Sequence, residues 1–393
     1  MPLKVWQFDP AHMTPYYDGW LCEALASAGC DVRLVASRYL YDPKLPASSC
    51  FKTDAHYFRL LNSRHLLQYP RLRKILRAIC YPVDHVRLLN KIAVDPPDVF
   101  HAQWTRLPLF DALLLDRVRA YGIPIAYTVH ETIPLFASIG VKQRLERVYR
   151  KADALIFHAE ANRADFCRVF PTIPADRLHV IPHLMPLPTL PAGADRHLAR
   201  LRLNLPTEAP ILLFFGSLRP YKGVDLLLDA FARAVEARSD LRLVIAGSPH
   251  DADPVLVDRL KACESGVDAR LEYIPSDEAW LYHVAADVIV FPYRRIYQSG
   301  ALLTAMSYRR AVIAAAVGAL PETVDGNGWV VPPDNPAALA EAMLDAASDP
   351  ERIEAMGRRS LALVRERHDP ADIADRTVTL YESLGIKTGR PSN

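Results

Sequence analysis

Short apolar runs alternate with helix-like segments along almost the whole chain, and this alternation limits the possible folds more than any other feature. Continuous apolar strands that alternate with helices indicate a parallel, doubly wound α/β sheet. In the N-terminal half, the predicted strands cover residues 4–8, 32–36, 98–102, 125–129, 154–158 and 178–181. The helix-like stretches between them include residues 19–28, 107–119 and 139–151.

The same pattern begins again after residues 182–210, which we interpret as a linker or interdomain segment because this stretch is rich in proline and weakly periodic. The second set of predicted strands covers residues 211–216, 242–247, 271–274, 288–291, 312–316 and 329–331, and a helix over 370–384 ends the pattern. The sequence therefore predicts two Rossmann-like domains, residues 1–185 and 186–369, that face each other across a cleft where ligands bind.

Composition agrees with a globular protein of this kind. The chain has 393 residues, 50% of them hydrophobic, and a formal net charge of +2, which favours no nucleic-acid partner. Its six cysteines show no CxxC spacing and are expected to be reduced thiols. No signal peptide is recognisable, and no apolar run approaches the roughly 18 residues of a membrane span. We expect a cytoplasmic protein, with contact to the inner face of the membrane as an open alternative.

The clearest candidate for an anion site is "FFGSLRPYKGVDLLLDAFARA", residues 214–234. A predicted strand ends at Gly216, and a short loop with Arg219 and Lys222 precedes a helix. Backbone N–H groups at the helix start, its dipole and the two cations all favour negative charge. The alternative is an ordinary surface turn with solvated cations. Because GxxxxGK[ST] is absent, Lys222 is not a P-loop lysine.

A second candidate anion site is "PYRRIYQSGALLTAMS", residues 292–307, which follows another predicted strand. It offers two arginines and the start of a helix, with Ser299 as the predicted N-cap. Gly300 would let a ligand approach the backbone closely. Two such loops suit a diphosphate better than one phosphate. A third loop, "VGALPETVDGNGW", carries Glu322, which could accept hydrogen bonds from a polyhydroxylated group or simply favour a helix N-terminus.

Three predicted strands of the N-terminal half end in a histidine: His101, His130 and His158. Parallel strands bring these ends to one edge of the sheet. We expect one functional histidine, His130, rather than a metal site, since residues on separate strands have no diagnostic ligand spacing. Tyr16 and Tyr17 either line an acceptor pocket or pack in the core. In "HDADP", residues 250–254, the aspartates are expected to cap a helix rather than bind a metal.

Residues 59–91 contain Arg64, Arg71, Arg73, Lys74, Arg77 and Arg87 among apolar residues, with Asp84 as their one acidic residue. A basic amphipathic region of this kind can lie on an anionic bilayer. The alternative is a solvated helical insertion whose apolar side packs on the core. We slightly favour membrane contact.

Several segments occur in a recognisable order: "YTVHE", "GSLRPYKGVDLLLDAF", "LVIAGSP", "AADVIVFPYR" and "SGALLTAMSYRRAVIAAAVGALPETVDGNGWVVPPDNPAALAEAM". With these segments the chain resembles the retaining GT-B glycosyltransferases of family 4 over essentially its whole length. The resemblance implies a nucleoside diphosphate sugar donor bound by the C-terminal domain and an acceptor bound by the N-terminal one. It also implies that the C-terminal helix, residues 370–393, packs back on the first domain, and that no metal or other cofactor is obligatory.

The resemblance also assigns roles to individual residues. Arg219 and Lys222 would hold the diphosphate, and His130 would contact the sugar near the reacting carbon. Other donor contacts would come from Gly216, Ser217, Tyr273, Ile274, Ser299, Gly300 and Glu322. The acceptor side would include Tyr16, Tyr17, His101 and Trp104.

The chain departs from the family pattern in two places. Most members carry two glutamates in the loop before the second phosphate-binding helix, where this chain has Ile296 and Thr304. Many also have an arginine directly after the first glycine, where this chain has Ser217, and we expect Arg219 to replace it. The missing glutamate removes the usual partner of the donor sugar, so neither sugar nor nucleobase is predicted.

The expected activity is retaining transfer of a hexose-type sugar to a hydroxyl acceptor, with a lipid-linked saccharide favoured by the basic residues of 59–91. Arg219, Lys222 and the helix start at Ser299 would stabilise the departing diphosphate. A nucleotide-sugar or glycan-binding protein without catalytic activity is the main alternative. A metal-dependent hydrolase built on the histidines is a third.

Overall fold

The structure is a computed structural model that describes residues 1–40, 42, 48–61, 68–134, 140–249, 252–262 and 266–385. It divides the chain into two compact units: an N-terminal unit, Met1–Leu184 with Pro370–Asn393, and a C-terminal unit, Met185–Asp369. Within the described residues, no helix is both long and apolar enough to cross a membrane. The described cysteines are free thiols, and Cys263 and Arg64 lie outside the described residues.

In the N-terminal unit, the described residues form a seven-stranded parallel sheet in the order β3-β2-β1-β4-β5-β6-β7. The strands are β1 (Lys4–Asp9), β2 (Asp31–Ser37), β3 (Lys52–Tyr57), β4 (Val99–Ala102), β5 (Ile125–Thr128), β6 (Ala154–Phe157) and β7 (Leu178–Val180). The helices are α1 (Pro15–Ser27), α2 (Pro70–Val94), α3 (Pro108–Ala120), α4 (Val141–Tyr149), α5 (Glu160–Val169) and α14 (Pro370–Ser383). The strand order changes direction between β1 and β4, which places a ligand crevice at their carboxyl ends.

Successive strand residues of this unit alternate between two apolar layers, because side chains of a strand point to opposite faces. In β1, Val5 joins one layer and Trp6 and Phe8 the other. The first layer is completed by α1 and α14, where Tyr381 is fully buried, and α14 contacts α1. The sheet is thus covered by helices on both faces, as its apolar strands predict.

In the C-terminal unit, the described residues form a six-stranded parallel sheet in the order β10-β9-β8-β11-β12-β13. The strands are β8 (Ile211–Phe215), β9 (Arg242–Ala246), β10 (Val267–Arg270), β11 (Val288–Phe291), β12 (Ala311–Ala315) and β13 (Gly328–Val331). The helices are α6 (Arg196–Arg202), α7 (Val224–Ala237), α8 (Pro254–Ala262), α9 (Ala279–Ala285), α10 (Gly300–Ser307), α11 (Leu320–Thr323), α12 (Pro336–Ser348) and α13 (Pro350–Arg367). Here the order changes between β8 and β11, and the loops after these two strands flank that crevice.

A buried ion pair anchors α6 to this sheet. Arg200 is fully buried and pairs with Asp287 at 2.8 Å, directly before β11. Its guanidinium also donates to the carbonyl oxygens of Thr207, Ala209 and Ala285. These bonds satisfy the charge that burial would otherwise make costly. The exposed Arg196 reaches the other oxygen of the same carboxylate.

The structure differs from the sequence predictions in three places. The strand predicted over 271–274 is a loop, and the strand is β10, which pairs with β9 through the partly polar run Val267–Arg270. β3, another edge strand with polar residues, was not predicted. Edge strands are only partly buried and need no continuous apolar run. The predicted linker, residues 182–210, contains the helix α6.

Candidate functional site

The loop after β8 holds the first predicted anion site. Residues 220–222 form one turn of 3-10 helix, and Gly223 then begins α7 with φ of 68°. A Cβ at Gly223 would overlap the carbonyl oxygen of Pro292, so the position requires glycine. The turn folds Lys222 back over the strand end: its Nζ lies 2.9 Å from where a Cβ on Gly216 would be. The loop therefore places a cation against the exposed backbone at the carboxyl end of β8.

The electrostatics of this loop suit an anion. Burial, with a smaller effect from the nearby Arg219 guanidinium, lowers the pKa of Lys222 to about 8. A bound negatively charged group offsets both effects, because it attracts the ammonium and reduces the repulsion between the two cations. Arg219 is exposed, and Ser217 is half-buried beside the same strand end. The four predicted residues of this loop are thus close together.

The loop after β11 lies beside this one and leads into α10. Ser299 is the N-cap of α10, as predicted: its hydroxyl accepts from the Leu302 N–H at 3.2 Å. The Tyr293 hydroxyl forms a hydrogen bond with Ser299, and burial raises the pKa of Tyr293. Lys222 Nζ lies 5.9 Å from the centre of the Tyr293 ring. Tyr293 thereby connects the cation of the first loop with the helix start of the second.

Of the two arginines of the second loop, Arg294 is paired with carboxylates of its own unit. Arg294 forms two bonds to the Asp225 carboxylate, at 2.7 and 2.8 Å, and one to Asp334 at 2.8 Å. It also donates to the carbonyl oxygen of Pro220 at 3.2 Å. Its charge is therefore neutralised, and it ties the second loop to the Lys222 turn. Arg295 is exposed.

The remaining donor-side predictions lie at the same edge of the sheet. Glu322 is exposed in the short helix α11, which follows β12. Its loop meets the second loop, where the Ala319 N–H donates to the Tyr297 carbonyl at 2.9 Å. Tyr273 and Ile274 follow β10 and are exposed and half-buried, respectively. Their predicted contact with a nucleobase stays a prediction.

In the N-terminal unit, His130 follows β5 and is the half-buried centre of a ring cluster. Trp104, in the loop after β4, stacks on it with ring centres 4.9 Å apart and an interplanar angle of 7°. The Trp104 Nε1–H donates to Thr14 Oγ1 at 3.0 Å, which joins the loops after β1 and β4. Burial, and then the neighbouring histidines His158 and His183, hold the pKa of His130 well below its usual value. The imidazole is therefore neutral near pH 7.

The other residues predicted on the acceptor side, His101, Tyr16 and Tyr17, are buried or half-buried. His101 lies inside β4 and is buried; its ring nitrogens meet the Tyr381 hydroxyl at 2.6 Å and Thr128 Oγ1 at 2.8 Å. These contacts do not support a role in acceptor binding, because both nitrogens are used within the fold. Tyr17 is buried in the core, with its ring 5.2 Å from that of His130. Tyr16 is half-buried, and its hydroxyl bonds the Asp42 carboxylate.

The metal-binding alternatives involve described residues of both units. Among the described residues, no three His, Cys, Asp or Glu side chains are grouped so as to hold a metal ion. In the "HDADP" segment, Asp253 accepts from the Val255 N–H at 2.9 Å and so caps α8, as expected, while Asp251 lies outside the described residues. The His158 Nδ1–H donates to the Ile181 carbonyl oxygen at 3.1 Å, and the ring packs on Tyr17.

Sequence comparisons place both units among glycosyltransferases. Residues 209–349 match the model described as glycosyl transferases group 1, and residues 21–186 match glycosyltransferase family 4. A D-inositol 3-phosphate glycosyltransferase of Kineococcus radiotolerans is 31% identical over 55% of this chain and 54% of that protein, so the match spans about half of the relative. An alpha-maltose-1-phosphate synthase of Mycolicibacterium smegmatis is 29% identical over 80% of this chain and 86% of that protein.

The fold agrees with these matches. The structure of Anabaena HepE in complex with UDP and glucose superposes with a TM-score of 0.76, at 17% identity, over 97% of this chain and 100% of that one. Two parallel Rossmann-like sheets of this kind define the GT-B class of glycosyltransferase folds. Within that class, the chain belongs to glycosyltransferase family 4.

Proposed function

We propose that the chain is a retaining hexosyltransferase that moves a sugar from a nucleoside diphosphate sugar to a hydroxyl acceptor. The observation that carries this proposal is the pair of adjacent anion loops, with the Lys222 ammonium over the Gly216 strand end and the capped start of α10 beside it. Two adjacent sites match the two phosphates of such a donor. Relatives named as glycosyltransferases, and a structural neighbour solved with UDP and glucose, support the same donor class.

The chemical problem in this reaction is the negative charge on the leaving diphosphate. As the bond from the anomeric carbon to the phosphate oxygen breaks, Lys222, Arg219 and the α10 N–H groups stabilise that charge more than they stabilise the ground state. The acceptor hydroxyl forms the new bond on the same face and passes its proton to the leaving phosphate. The low pKa of His130 fits this route, because a weakly basic imidazole serves as a hydrogen-bonding group rather than as a strong base. No step requires a metal ion.

Donor identity is tested by thermal unfolding with a panel of nucleoside diphosphate sugars. A donor at about 100 times its dissociation constant stabilises a protein by roughly 2.7 kcal/mol. We expect one nucleobase and sugar to raise the unfolding temperature, and Lys222→Ala to remove the shift. The product's anomeric configuration, read by nuclear magnetic resonance, then tests retention. Inversion would contradict that part of the proposal.

We further propose that the acceptor is a lipid-linked saccharide, as in polysaccharide or glycolipid synthesis, reached at an anionic membrane surface. The support is α2, which spans most of the basic region predicted from the sequence. One face of this helix exposes apolar side chains at spacings of three and four residues. Their exposed fractions are 49% for Leu72, 58% for Ile75, 64% for Ile79, 50% for Val83 and 58% for Val86. A helical stripe of this kind normally packs on a core. Here it faces solvent while the opposite face, with Leu88 and Ile92, is buried.

The neighbouring helix α3 also exposes apolar side chains, namely Leu109, Phe110 and Leu113. The two helices touch through Tyr81, whose hydroxyl donates to Asp111 at 2.5 Å. The exposed cations Arg71 and Lys74 lie at the start of α2, beside this stripe. Arg77 is used differently, because its guanidinium stacks on Phe58 at 4.0 Å.

Vesicle sedimentation tests this contact. Each basic residue near an anionic surface contributes about 1 kcal/mol, so a double substitution of Arg71 and Lys74 by glutamine should weaken binding to phosphatidylserine vesicles roughly 30-fold. Ile75→Ser and Ile79→Ser should weaken it further. Val255→Ser, at an exposed apolar site on α8, is the control. Unchanged vesicle binding in the α2 variants would contradict the proposal.

A further inference from the structure

A chain of buried side-chain amides leads to the ring of His130. His130 Nε2 lies 3.1 Å from Gln103 Oε1, and Gln103 Nε2 donates to Gln7 Oε1 at 2.7 Å. Gln103 and Gln7 are both 1% exposed. Gln7 belongs to β1 and Gln103 follows β4, so these hydrogen-bonded amides cross the point where the strand order changes direction. The amides therefore reach His130 at the crevice of the N-terminal unit.

The series of hydrogen bonds continues from Gln7 to the C-terminal helix. Gln7 Nε2 donates to the Tyr381 hydroxyl at 3.2 Å and lies 3.1 Å from His101 Nδ1. Tyr381 belongs to α14 and is fully buried. The buried His101 is neutral, since burial lowers its pKa to about 3. Each amide in the chain thus has partners on both of its polar ends.

The orientation of the two amides indicates the proton position on His130. The Gln7 NH2 group faces the Tyr381 hydroxyl, and the Gln7 oxygen accepts from the Gln103 NH2 group, which also lies 3.3 Å from His101 Nε2. Gln103 then offers only its oxygen to His130. An amide oxygen is an acceptor, and the imidazole nitrogen beside it must therefore carry the hydrogen. His130 is accordingly the Nε2–H tautomer, and Nδ1 keeps a lone pair.

The ring is also prevented from turning. Trp104 covers one face in a nearly parallel stack, and Tyr17 meets the ring edge-to-face with an interplanar angle of 88°. His158 lies 5.2 Å away, centre to centre. A flip that exchanged Nε2 and Nδ1 would break the Gln103 bond and disturb this packing. The lone pair therefore stays on one atom at one place.

We propose that Gln103 is a positioning residue that holds His130 as the Nε2–H tautomer, so that Nδ1 accepts a hydrogen bond from a sugar hydroxyl and selects against a carboxylate or phosphate at that position. This inference rests on the proposed function, since it assumes that His130 contacts substrate. The chemical reason is that a hydroxyl can donate to a lone pair, whereas an anionic oxygen can only accept and would be repelled. The titratable groups around the ring are His101, His158, His183 and Tyr17, which supply no carboxylate to charge it.

The tautomer itself is measured without substrate. Long-range proton–nitrogen correlation spectra of the full chain distinguish the two neutral tautomers and the charged ring. Comparison with His130→Gln assigns the His130 signals, and the exposed His197 serves as an internal reference for exchange between forms. We expect a single Nε2–H form at pH 7. A Nδ1–H form, a charged ring or a tautomer mixture like that of a free imidazole would overturn the inference.

Substitution of Gln103 tests the consequence. In Gln103→Glu, a carboxylate accepts from Nε2–H and favours the charged ring, which turns Nδ1 into a donor. We expect the His130 pKa to rise in the spectra, and the preference for a neutral sugar substrate over its uronate analogue to fall about tenfold, as for one charge-assisted hydrogen bond. Gln103→Leu should leave the ring in exchange between tautomers without charging it. Nucleoside diphosphate affinity, determined in the other unit, should stay unchanged in both variants.

The two proposals fail in different ways. If no donor is transferred or hydrolysed, the proposed function fails while the tautomer result stands. If transfer occurs and the Nε2–H form is present, but Gln103→Glu charges the ring without changing the preference between neutral and acidic sugars, the selectivity inference is wrong.

Discussion

The lowered pKa of Lys222 predicts a specific pH dependence of nucleotide binding. Burial and the charge of Arg219 bring this pKa to about 8, so the ammonium loses its proton within an accessible pH range. A diphosphate binds the protonated form better, because only that form neutralises its charge. Affinity for UDP or GDP should therefore fall as pH rises through 8.

The size of the effect follows from the pKa. With a midpoint of about 8, about nine-tenths of the free protein carries the proton at pH 7 and about one-tenth at pH 9. If only the protonated form binds, the dissociation constant rises about tenfold across this interval. Arg219→Met removes a repulsive charge, so it should move the fall in affinity to higher pH while weakening binding overall.

Titration calorimetry at pH 7, 8 and 9 measures this dependence with the preferred nucleoside diphosphate. Lys222→Arg is the matched control, because a guanidinium stays charged over the whole interval and should remove the step. An equally large step in Lys222→Arg, or none in the wild-type protein, would refute the reasoning.

Three further predictions concern stability. Gly223→Ala places a Cβ against a backbone carbonyl at a positive φ, whereas nothing lies within 4 Å of the Cβ in the control Gly193→Ala. The control should lower the free energy of unfolding by about 1–2 kcal/mol, the cost of the left-handed backbone alone, and Gly223→Ala by clearly more. Equal unfolding midpoints in denaturant would contradict this. Arg200→Met leaves a buried carboxylate and several carbonyls unpaired and should lower the free energy of unfolding by about 3–5 kcal/mol. Arg196→Met, which removes the exposed partner of the same carboxylate, should lower it by at most about 1 kcal/mol. Similar losses in the two variants would show that burial is not the cause. Burial raises the pKa of Asp18, so its folded form retains a proton that the unfolded form loses above pH 4, and stability falls as pH rises. Asp18→Asn should therefore raise the melting temperature more at pH 8 than at pH 4, and the reverse order would be inconsistent with a protonated buried carboxyl.

The sequence predicts the central strands well and also the edge strands β7 and β13, but it misses β3 and misplaces β10, for a physical reason. Central strands such as β8 and β11 are buried on both faces and read as unbroken apolar runs, "ILLFF" and "VIVF". The edge strands β3 and β10 read "KTDAHY" and "VDAR". Such strands are held by backbone pairing with one neighbour, and their partly exposed side chains carry no hydrophobic signal.

At the candidate site, the sequence predicts a residue's role correctly where that role depends on its neighbours in the sequence. The N-cap role of Ser299 depends on the next three residues and is confirmed. The pairing of Arg294 depends on Asp225 and Asp334, which are distant in sequence, so the adjacent arginines look alike in the sequence. Asp225, an acidic residue in the first turn of α7, is the sequence feature that could have indicated a neutralised arginine.

The histidines illustrate the same limit. His101 and His130 both follow apolar runs, and nothing local separates them. His101 is used inside the fold because Tyr381, 280 residues later in the chain, reaches it from α14. The hydrogen-bonded amides Gln7 and Gln103 likewise connect β1, the loops after β4 and β5, and α14, and no sequence motif marks them.

Release of nucleoside diphosphate tests the central claim, that this chain is a glycosyltransferase with its diphosphate site at the Lys222 loop. The assay follows UDP or GDP formation from the stabilising donor, with and without a saccharide acceptor, in the wild-type protein and in Lys222→Ala. We predict slow release without acceptor, faster release with a suitable acceptor, and a loss of both in the variant of 100-fold or more, as for removal of one group that stabilises the transition-state charge. Tight donor binding with no release under either condition would contradict the account and indicate a nucleotide-sugar-binding protein without catalytic activity.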